Sequence, residues 1–394
     1  MRVKGNLQLM KEINTAMIMN LLHREGRMTR AELTKATKLS ATTVSALIED
    51  LIGRGIVREA GEKASPGAGR RAIALEIDKD GGYVIGISLG NRHLICAVLD
   101  LHGQSIAEFR TNIAIGNESI AEQIRWALGS CVEQTESMTP ERIRGIGIAA
   151  PGLIDETEGV VLYSSLLKLS DFDLRRRVSA YYPGVPVKLV NDSNAAAFAE
   201  RYAGVAKDRQ SLLYMTINDG IGAGLVLNAQ IYSGYLGAAG EIGHVSLDPQ
   251  GEICNCGQRG CLETILTRPY ILAKCRAEAA RQGVEGPADF DEALARYDAG
   301  EAWLEPIFGR VIETARQMIA SAAHLVSPEV VVLDGWMNRS AGVLRKLREA
   351  FDRRQFPFAV TGDRLLPAAF GEKGALYGSA TLMLHQIFSA PVLD

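Results

Sequence analysis

Three of the six cysteines in this chain lie within eight residues, at Cys254, Cys256 and Cys261. Clustered thiols can form a metal site, a redox centre or a disulfide framework. The C-x-C spacing is a poor match to the C-x-x-C motif of thiol redox centres. His244 precedes the cluster in the chain, and its imidazole would complete a set of four ligands. The pattern favours a metal site, with a cluster of free thiols or a redox switch as the alternatives.

The composition is that of a globular protein, with 47% hydrophobic and 23% charged residues. A length of 394 residues allows two or three domains with their own cores. No uninterrupted apolar run reaches about 18 residues, the length that a membrane-spanning helix needs. The first residues show no secretion signal. We therefore expect a cytoplasmic protein without a membrane segment, in a reducing setting that disfavours a disulfide framework.

The charges are unevenly distributed along the chain. Residues 1–77 hold 13 Lys and Arg against 8 Asp and Glu, whereas the remainder holds 30 against 38. A basic head on an acidic body suggests that the head binds nucleic acid and the body binds something else. A chance fluctuation of this size is the alternative interpretation.

Residues 28–57 show the pattern of a helix-turn-helix. Thr29 and Glu32 form a T-x-x-E capping box that opens a helix expected to bury Leu33 and Ala36. Ser40 is placed to cap the next helix. Apolar residues recur in that second helix at helical spacing, at Val44, Leu47, Ile48 and Leu51.

The opposite face of the second helix predicts contacts with DNA. Small hydroxyl residues near the helix start can approach base edges and phosphates closely, and here they are Ser40, Thr42, Thr43 and Ser45. Strands at 56–60 and 70–77 would form a hairpin wing carrying Arg70 and Arg71, which suit phosphate or minor-groove contact. Together with a first helix over 13–22, these features predict a winged helix-turn-helix domain over residues 1–78. Plain helical packing can give the same spacing and is the alternative.

The body reads as an α/β protein in which a strand meander followed by a helix occurs twice. We expect two α/β lobes around a cleft, the usual place for a ligand. The first lobe spans 79–190 and is completed by a C-terminal helix at 374–394. The second spans 191–373.

The body resembles the ROK family of repressors, open reading frames and sugar kinases. The most specific motifs are EIGH at 241–244 and CNCGQRGCLE at 254–263. With the winged head, the chain resembles the family's transcriptional regulators of the NagC, Mlc and XylR type, over nearly its whole length. The resemblance implies a sugar-kinase-like fold of the actin and hexokinase type.

The resemblance also implies roles for individual residues. The cysteine cluster with His244 would hold a structural Zn²⁺, since three thiolates and one imidazole leave no open position for a catalytic water. In the family, residues at matching positions bind sugar hydroxyls, and in this chain they are Gly152, Asn191, Asp192, Glu241, His244 and Glu263. Asp192 matches the general base of the family's kinases. It could instead merely cap the following helix.

The nucleotide side departs from the pattern of the family's kinases. Ser88 and Arg92 replace the aspartate and threonine of the first phosphate loop. Asp219 stands in the second phosphate loop, where a carboxylate would repel a triphosphate. Asp334 stands in the late glycine turn near the adenosine site. We therefore expect no enzymatic activity and a sugar sensor derived from a kinase; an ATP-dependent sugar kinase with a DNA-binding appendage is the alternative.

The expected function is that of a sugar-responsive repressor. A homodimer or tetramer would place two recognition helices in successive major grooves of a pseudo-palindromic operator, roughly 34–36 Å apart. A sugar effector between the lobes would release the DNA, although the opposite effect, in which sugar or a protein partner promotes binding, stays open. The sequence does not name the sugar.

Overall fold

The computed structural model describes residues 7–63, 72–135, 138–352 and 360–389. The chain divides into two compact units, Met1–Val190 with Ser379–Asp394, and Asn191–Gly378. The α-helices in chain order are α1 Leu7–Glu25, α2 Arg30–Thr37, α3 Ala41–Gly53, α4 Asn117–Glu133, α5 Leu174–Ser179, α6 Asp192–Tyr202, α7 Glu263–Leu266, α8 Arg268–Gln282, α9 Phe290–Asp298, α10 Glu305–Val326, α11 Trp336–Arg339, α12 Ala341–Asp352 and α13 Gly374–Phe388.

The strands in the described part of the chain form four sheets. In chain order they are β1 Met28–Thr29, β2 Val57–Lys63, β3 Ala72–Ile77, β4 Tyr83–Leu89, β5 His93–Asp100, β6 Ser105–Asn112, β7 Ile143–Ala150, β8 Leu153–Asp155, β9 Val160–Ser164, β10 Leu169–Asp173, β11 Val187–Asn191, β12 Leu212–Ile217, β13 Ile221–Leu227, β14 Gln230–Ile231, β15 Val330–Gly335 and β16 Leu365–Pro367. None of the described helices is long and apolar enough to cross a membrane.

The head of the first unit contains the predicted helix-turn-helix in α2 and α3. The capping box is present: the Glu32 amide donates to the Thr29 hydroxyl at 3.2 Å, and the Thr29 amide donates to the Glu32 carboxylate at 2.7 Å. Leu33 is buried as expected, but the expectation for Ala36 is wrong, because that residue is exposed. The helix turns Thr37 inward instead, and its hydroxyl donates to the Leu33 carbonyl at 2.7 Å.

The wing is a three-stranded sheet in which β3 lies between β1 and β2. The hairpin strand predicted at 56–60 runs over Val57–Lys63, and the one predicted at 70–77 is described from Ala72 to Ile77. Arg70 and Arg71 lie outside the described residues, so their predicted contact with DNA stays a prediction.

The body of the first unit is built on a five-stranded sheet of order β11-β7-β4-β5-β6. Strand β4 pairs antiparallel with β5 and parallel with β7. Its seven residues are all buried, as a strand covered on both faces requires. Helix α4 packs against β5 and β6, and a small sheet of β8, β9 and β10 follows the end of β7.

The second unit repeats this plan with a five-stranded sheet of order β14-β13-β12-β15-β16. Its core contains aromatic contacts between Trp336 and both Phe308 and Phe290. Helix α13 begins in this unit and continues in the first, with the division at Ser379. The helix predicted over 374–394 ends at Phe388, and residues 390–394 are outside the described part.

Candidate functional site

Asn191 and Asp192 lie where β11 turns into α6. The Asn191 side-chain oxygen accepts hydrogen bonds from the amides of Ser193 at 2.9 Å and Asn194 at 3.2 Å, so Asn191 is the helix cap. The Asp192 carboxylate accepts from the Ser193 amide at 2.7 Å. Burial raises the pKa of Asp192 above its usual range. A desolvated carboxylate at a helix start that is already capped is a candidate ligand-binding group.

The cysteine cluster and His244 come together as a potential metal site. Their four ligand atoms all lie within 4.8 Å of one another. The Cys256 and Cys261 sulfurs are 3.6 Å apart, and the Cys254 sulfur is 3.7 Å from His244 Nδ1. Tetrahedral zinc, with bonds of about 2.3 Å to sulfur and about 2.0 Å to nitrogen, separates these atoms by about 3.8 and 3.5 Å. These two separations therefore fit a tetrahedral metal ion, and the other pairs of potential ligand atoms lie within 4.8 Å.

The backbone of the loop holds these ligands in place. The Cys254 amide donates to the Gln258 carbonyl at 2.8 Å, and Cys261 forms an antiparallel bridge with Ser246. Gly260 has a φ of +68°, and a Cβ there would overlap the Asp248 carbonyl. Only glycine combines this conformation with so close an approach of two chain segments.

The two predicted glutamates border the metal cluster. Glu263 begins α7, and its carboxylate lies 3.9 Å from His244 Nδ1 and accepts from the Ile221 amide at 3.4 Å. Burial raises the pKa of Glu241, and the charges of Asp192 and Glu263 raise it further, while His244 opposes them. These effects act at short range. The second unit therefore gathers Asp192, Glu241, His244 and Glu263 into one polar cluster.

The His244 ring is oriented by its position in the cysteine cluster. Its Nδ1 atom faces the Cys254 sulfur, so Nδ1 is the ring nitrogen directed at the other potential metal ligands. Gly152 belongs to the first unit, after the end of β7. It has a φ of +111°, and a Cβ there would overlap the Tyr163 carbonyl.

Asp219 and Asp334, two of the residues expected to depart from the kinase pattern, have partners that the sequence did not indicate. Arg268 lies 3.1 Å from the Asp219 carboxylate, and its amide donates to the Asn218 carbonyl at 2.9 Å. The Tyr214 hydroxyl donates to the buried Asp334 carboxylate at 2.6 Å. Arg268 and Tyr214 are 49 and 120 residues away from their partners. No local pattern could have found pairs at such separations.

The start of α3 carries the hydroxyl residues predicted to contact DNA. Ser40 is the helix cap and accepts from the Thr43 amide at 3.1 Å, and the two hydroxyls lie 2.8 Å apart. Thr42 is exposed, and Ser45 is half-buried. The hydrogen bonds fix the Ser40 and Thr43 hydroxyls, and Thr42 projects into solvent next to them.

The fold and the site together define a winged helix-turn-helix head joined to an α/β body with a cysteine–histidine cluster. Residues 13–58 match the profile of winged helix-turn-helix DNA-binding domains. Residues 84–386 match the profile of the ROK family. The chain belongs to the ROK family.

Individual relatives include both a regulator and an enzyme. The xylose repressor of Caldicellulosiruptor bescii is 28% identical over 98% of this chain and 99% of its own length. A ROK family transcriptional regulator described as a homologue of the E. coli Mlc protein has the same fold, with a TM-score of 0.84 over 96% of this chain and 97% of its own, at 24% identity. The ROK hexokinase of Thermus thermophilus is 30% identical, with a TM-score of 0.63 over 76% of this chain and 97% of its own.

Proposed function

We propose that the protein is a sugar-responsive transcriptional repressor. The observation that carries this proposal is the joining of a winged helix-turn-helix at 13–58 to a body with a polar cluster built of three carboxylates and a histidine. In this proposal residues 1–78 are the DNA-binding domain. Residues 79–190, completed by 374–394, form the first lobe, and 191–373 form the second.

The sugar site uses the chemistry of paired hydroxyls. Carboxylates accept two hydrogen bonds from neighbouring hydroxyls, which suits a polyol better than an apolar ligand. Asp192, Glu241 and Glu263 supply these acceptors, and His244 Nε2 adds a further polar group. Asn191 and Gly152 complete the set, with Gly152 contributing a backbone turn.

The metal of this site is Zn²⁺ with a structural role. Cysteine thiolates and imidazole are the ligands that zinc prefers, and four protein ligands close its tetrahedral shell. The ion would fix the His244 ring and the backbone that leads from Cys261 to Glu263. It would thereby hold two of the sugar-binding side chains in position without taking part in chemistry.

DNA binding uses the start of α3 and the wing. Ser40, Thr42, Thr43 and Ser45 would approach the bases and phosphates of a major groove, and Arg70 and Arg71 would reach the backbone or the minor groove. A homodimer or tetramer would read a pseudo-palindromic operator. Sugar releases the DNA because it binds more tightly to a state in which the heads no longer fit the two half-sites.

A repressor function is preferred over a kinase function because of the residues at the expected nucleotide-binding loops. Ser88 is 5% exposed inside β4 and has no charge with which to hold Mg²⁺. Asp219 places a carboxylate in the expected second phosphate loop, and this carboxylate is paired with Arg268. The names of similar proteins include xylose, glucose and N-acetylglucosamine, which makes these three sugars the first effectors to try.

Sugar binding without turnover is the test of this proposal. Calorimetric titration of the full chain with xylose, glucose and N-acetylglucosamine, in the absence of nucleotide, should give saturable binding for one of them. A coupled assay with ATP and that sugar should then show no ADP release above the protein-free blank. ADP release at about 1 s⁻¹ or faster, within the ordinary range of enzymes, would favour the kinase.

A further inference from the structure

Arg144 stands at an irregularity between β4 and β7. Tyr83 pairs with Ile143, but Val84 pairs with Gly145, so Arg144 is the extra residue of a β-bulge. Bulges change the direction in which a side chain leaves a sheet, and they recur at functional positions. Here the bulged residue is the second residue of β7, the strand that leads to the Gly152 turn.

The Arg144 guanidinium reaches out of the sheet to the DNA-binding head. One terminal nitrogen donates to the Arg54 carbonyl at 3.3 Å and to the Gly81 carbonyl at 2.8 Å. Arg54 is the C-terminal cap of α3, and Gly81 belongs to the segment that connects the head to β4. A cation at this end of a helix is favoured, because the last carbonyls of a helix are unpaired and carry partial negative charge.

Two glycines make room for this contact. A Cβ on Gly82 would lie 2.5 Å from Arg144 Cγ, and a Cβ on Gly81 would overlap the Gly55 carbonyl. The junction is therefore so closely packed that neither position could carry a side chain without displacing its neighbours. The Asp78 amide also donates to the Ile56 carbonyl at 2.8 Å, which closes the chain onto the end of α3.

The Arg144 side chain contributes little to the stability of the sheet to which its backbone belongs. Its Nε atom is buried and has no hydrogen-bond partner in the described part of the chain. Burial lowers the pKa of Arg144, and the nearby charges of Arg54 and Arg142 lower it further. Placing a cation there costs free energy, and the hydrogen bonds that offset the cost all go to the head and its connection.

We infer that Arg144 is a positioning residue that fixes the recognition helix α3 to strand β7. The strand thus links the turn at Gly152 to the end of the helix that reads DNA. A shift of β7 would move the Arg54 carbonyl and alter the direction in which α3 points. The consequence for DNA binding rests on the proposed function. The contact of Arg144 with the end of α3, which we call the brace, does not.

Hydrogen–deuterium exchange on the full chain tests the brace directly. Arg144→Leu keeps the apolar stem and removes the donors, and Arg142→Leu removes the same charge from an exposed neighbour. Peptides covering 51–56 and 77–82 should exchange about tenfold faster in Arg144→Leu and stay unchanged in Arg142→Leu. Arg144→Lys, which retains a charge and a donor, should give an intermediate rate and serves if the leucine variant does not fold.

Operator titrations with and without the sugar give the functional consequence. The ratio of the two operator affinities should fall about tenfold in Arg144→Leu, with sugar affinity within about twofold of the unmodified protein. If Arg144→Leu matches Arg142→Leu in its exchange rates, the inference is overturned. If its exchange rates rise while the unmodified protein binds no operator, the brace stands and the proposed repressor function fails.

Discussion

Replacing Cys261 by serine should remove the metal ion and most of the sugar affinity. Serine is a poor ligand for zinc, and structural zinc contributes about 10–16 kcal/mol to the folding of small zinc domains. Cys261 is fully buried, and only Leu262 lies between it and Glu263. We expect the metal content to fall from one ion per chain to none by elemental analysis, and the sugar affinity to fall at least about tenfold.

Cys275→Ala is the matched control for this prediction. Cys275 is also fully buried, but it lies in the core of the second unit outside the metal cluster. The control should lose some thermal stability, as deletions in a core do, and should keep both the metal and the sugar affinity. Retention of one metal ion by the Cys261→Ser variant, or normal sugar affinity in its absence, would contradict the structural role of the site.

Replacing Asp192 by asparagine should weaken sugar binding without weakening the fold. Hydrogen bonds to charged groups contribute about 1.5–3 kcal/mol, so the sugar affinity should fall about 10- to 100-fold. Burial raises the pKa of Asp192, which means that the folded state disfavours its ionised form. The free-energy cost of ionising Asp192 in the folded state is absent below the unfolded-state pKa and present at neutral pH. The uncharged amide of the asparagine variant removes that cost. Thermal unfolding at pH 7 should therefore show an unchanged or raised midpoint.

The control for this variant is Asp219→Asn. Asp219 is a carboxylate of the same unit, paired with Arg268 rather than placed in the polar cluster. Its replacement should leave the sugar affinity within about twofold of the unmodified protein. Equal losses of sugar affinity in both variants would point to a general effect of charge and against direct contact of Asp192 with the sugar.

Local patterns predicted the head well. The capping box at Thr29 and the cap at Ser40 each depend on a few neighbouring residues, and the structure has both. The inward position of Thr37 was missed because its hydroxyl can bond to the helix backbone, which lets a polar residue occupy an apolar face.

Contacts between residues that are distant in the chain could not, in general, be predicted from the sequence. His244 could be assigned to the cysteines from the motif because few residue types bind zinc. The four side chains do lie together in the structure. Nothing comparable restricts the partner of Asp219 or of Asp334, since any cation or hydroxyl could fill that role. The bulge at Arg144 depends on the register between β4 and β7, and register is a property of two strands together.

The most direct test of the central claim is fluorescence anisotropy of the full chain on a labelled DNA fragment from upstream of its gene. The protein would be titrated onto the DNA at a fixed salt concentration and then challenged with xylose, glucose and N-acetylglucosamine, without ATP. The account predicts tight binding that a single sugar releases, and no such release for the Asp192→Asn variant at the same sugar concentration. Absence of specific binding with and without every sugar would contradict a repressor.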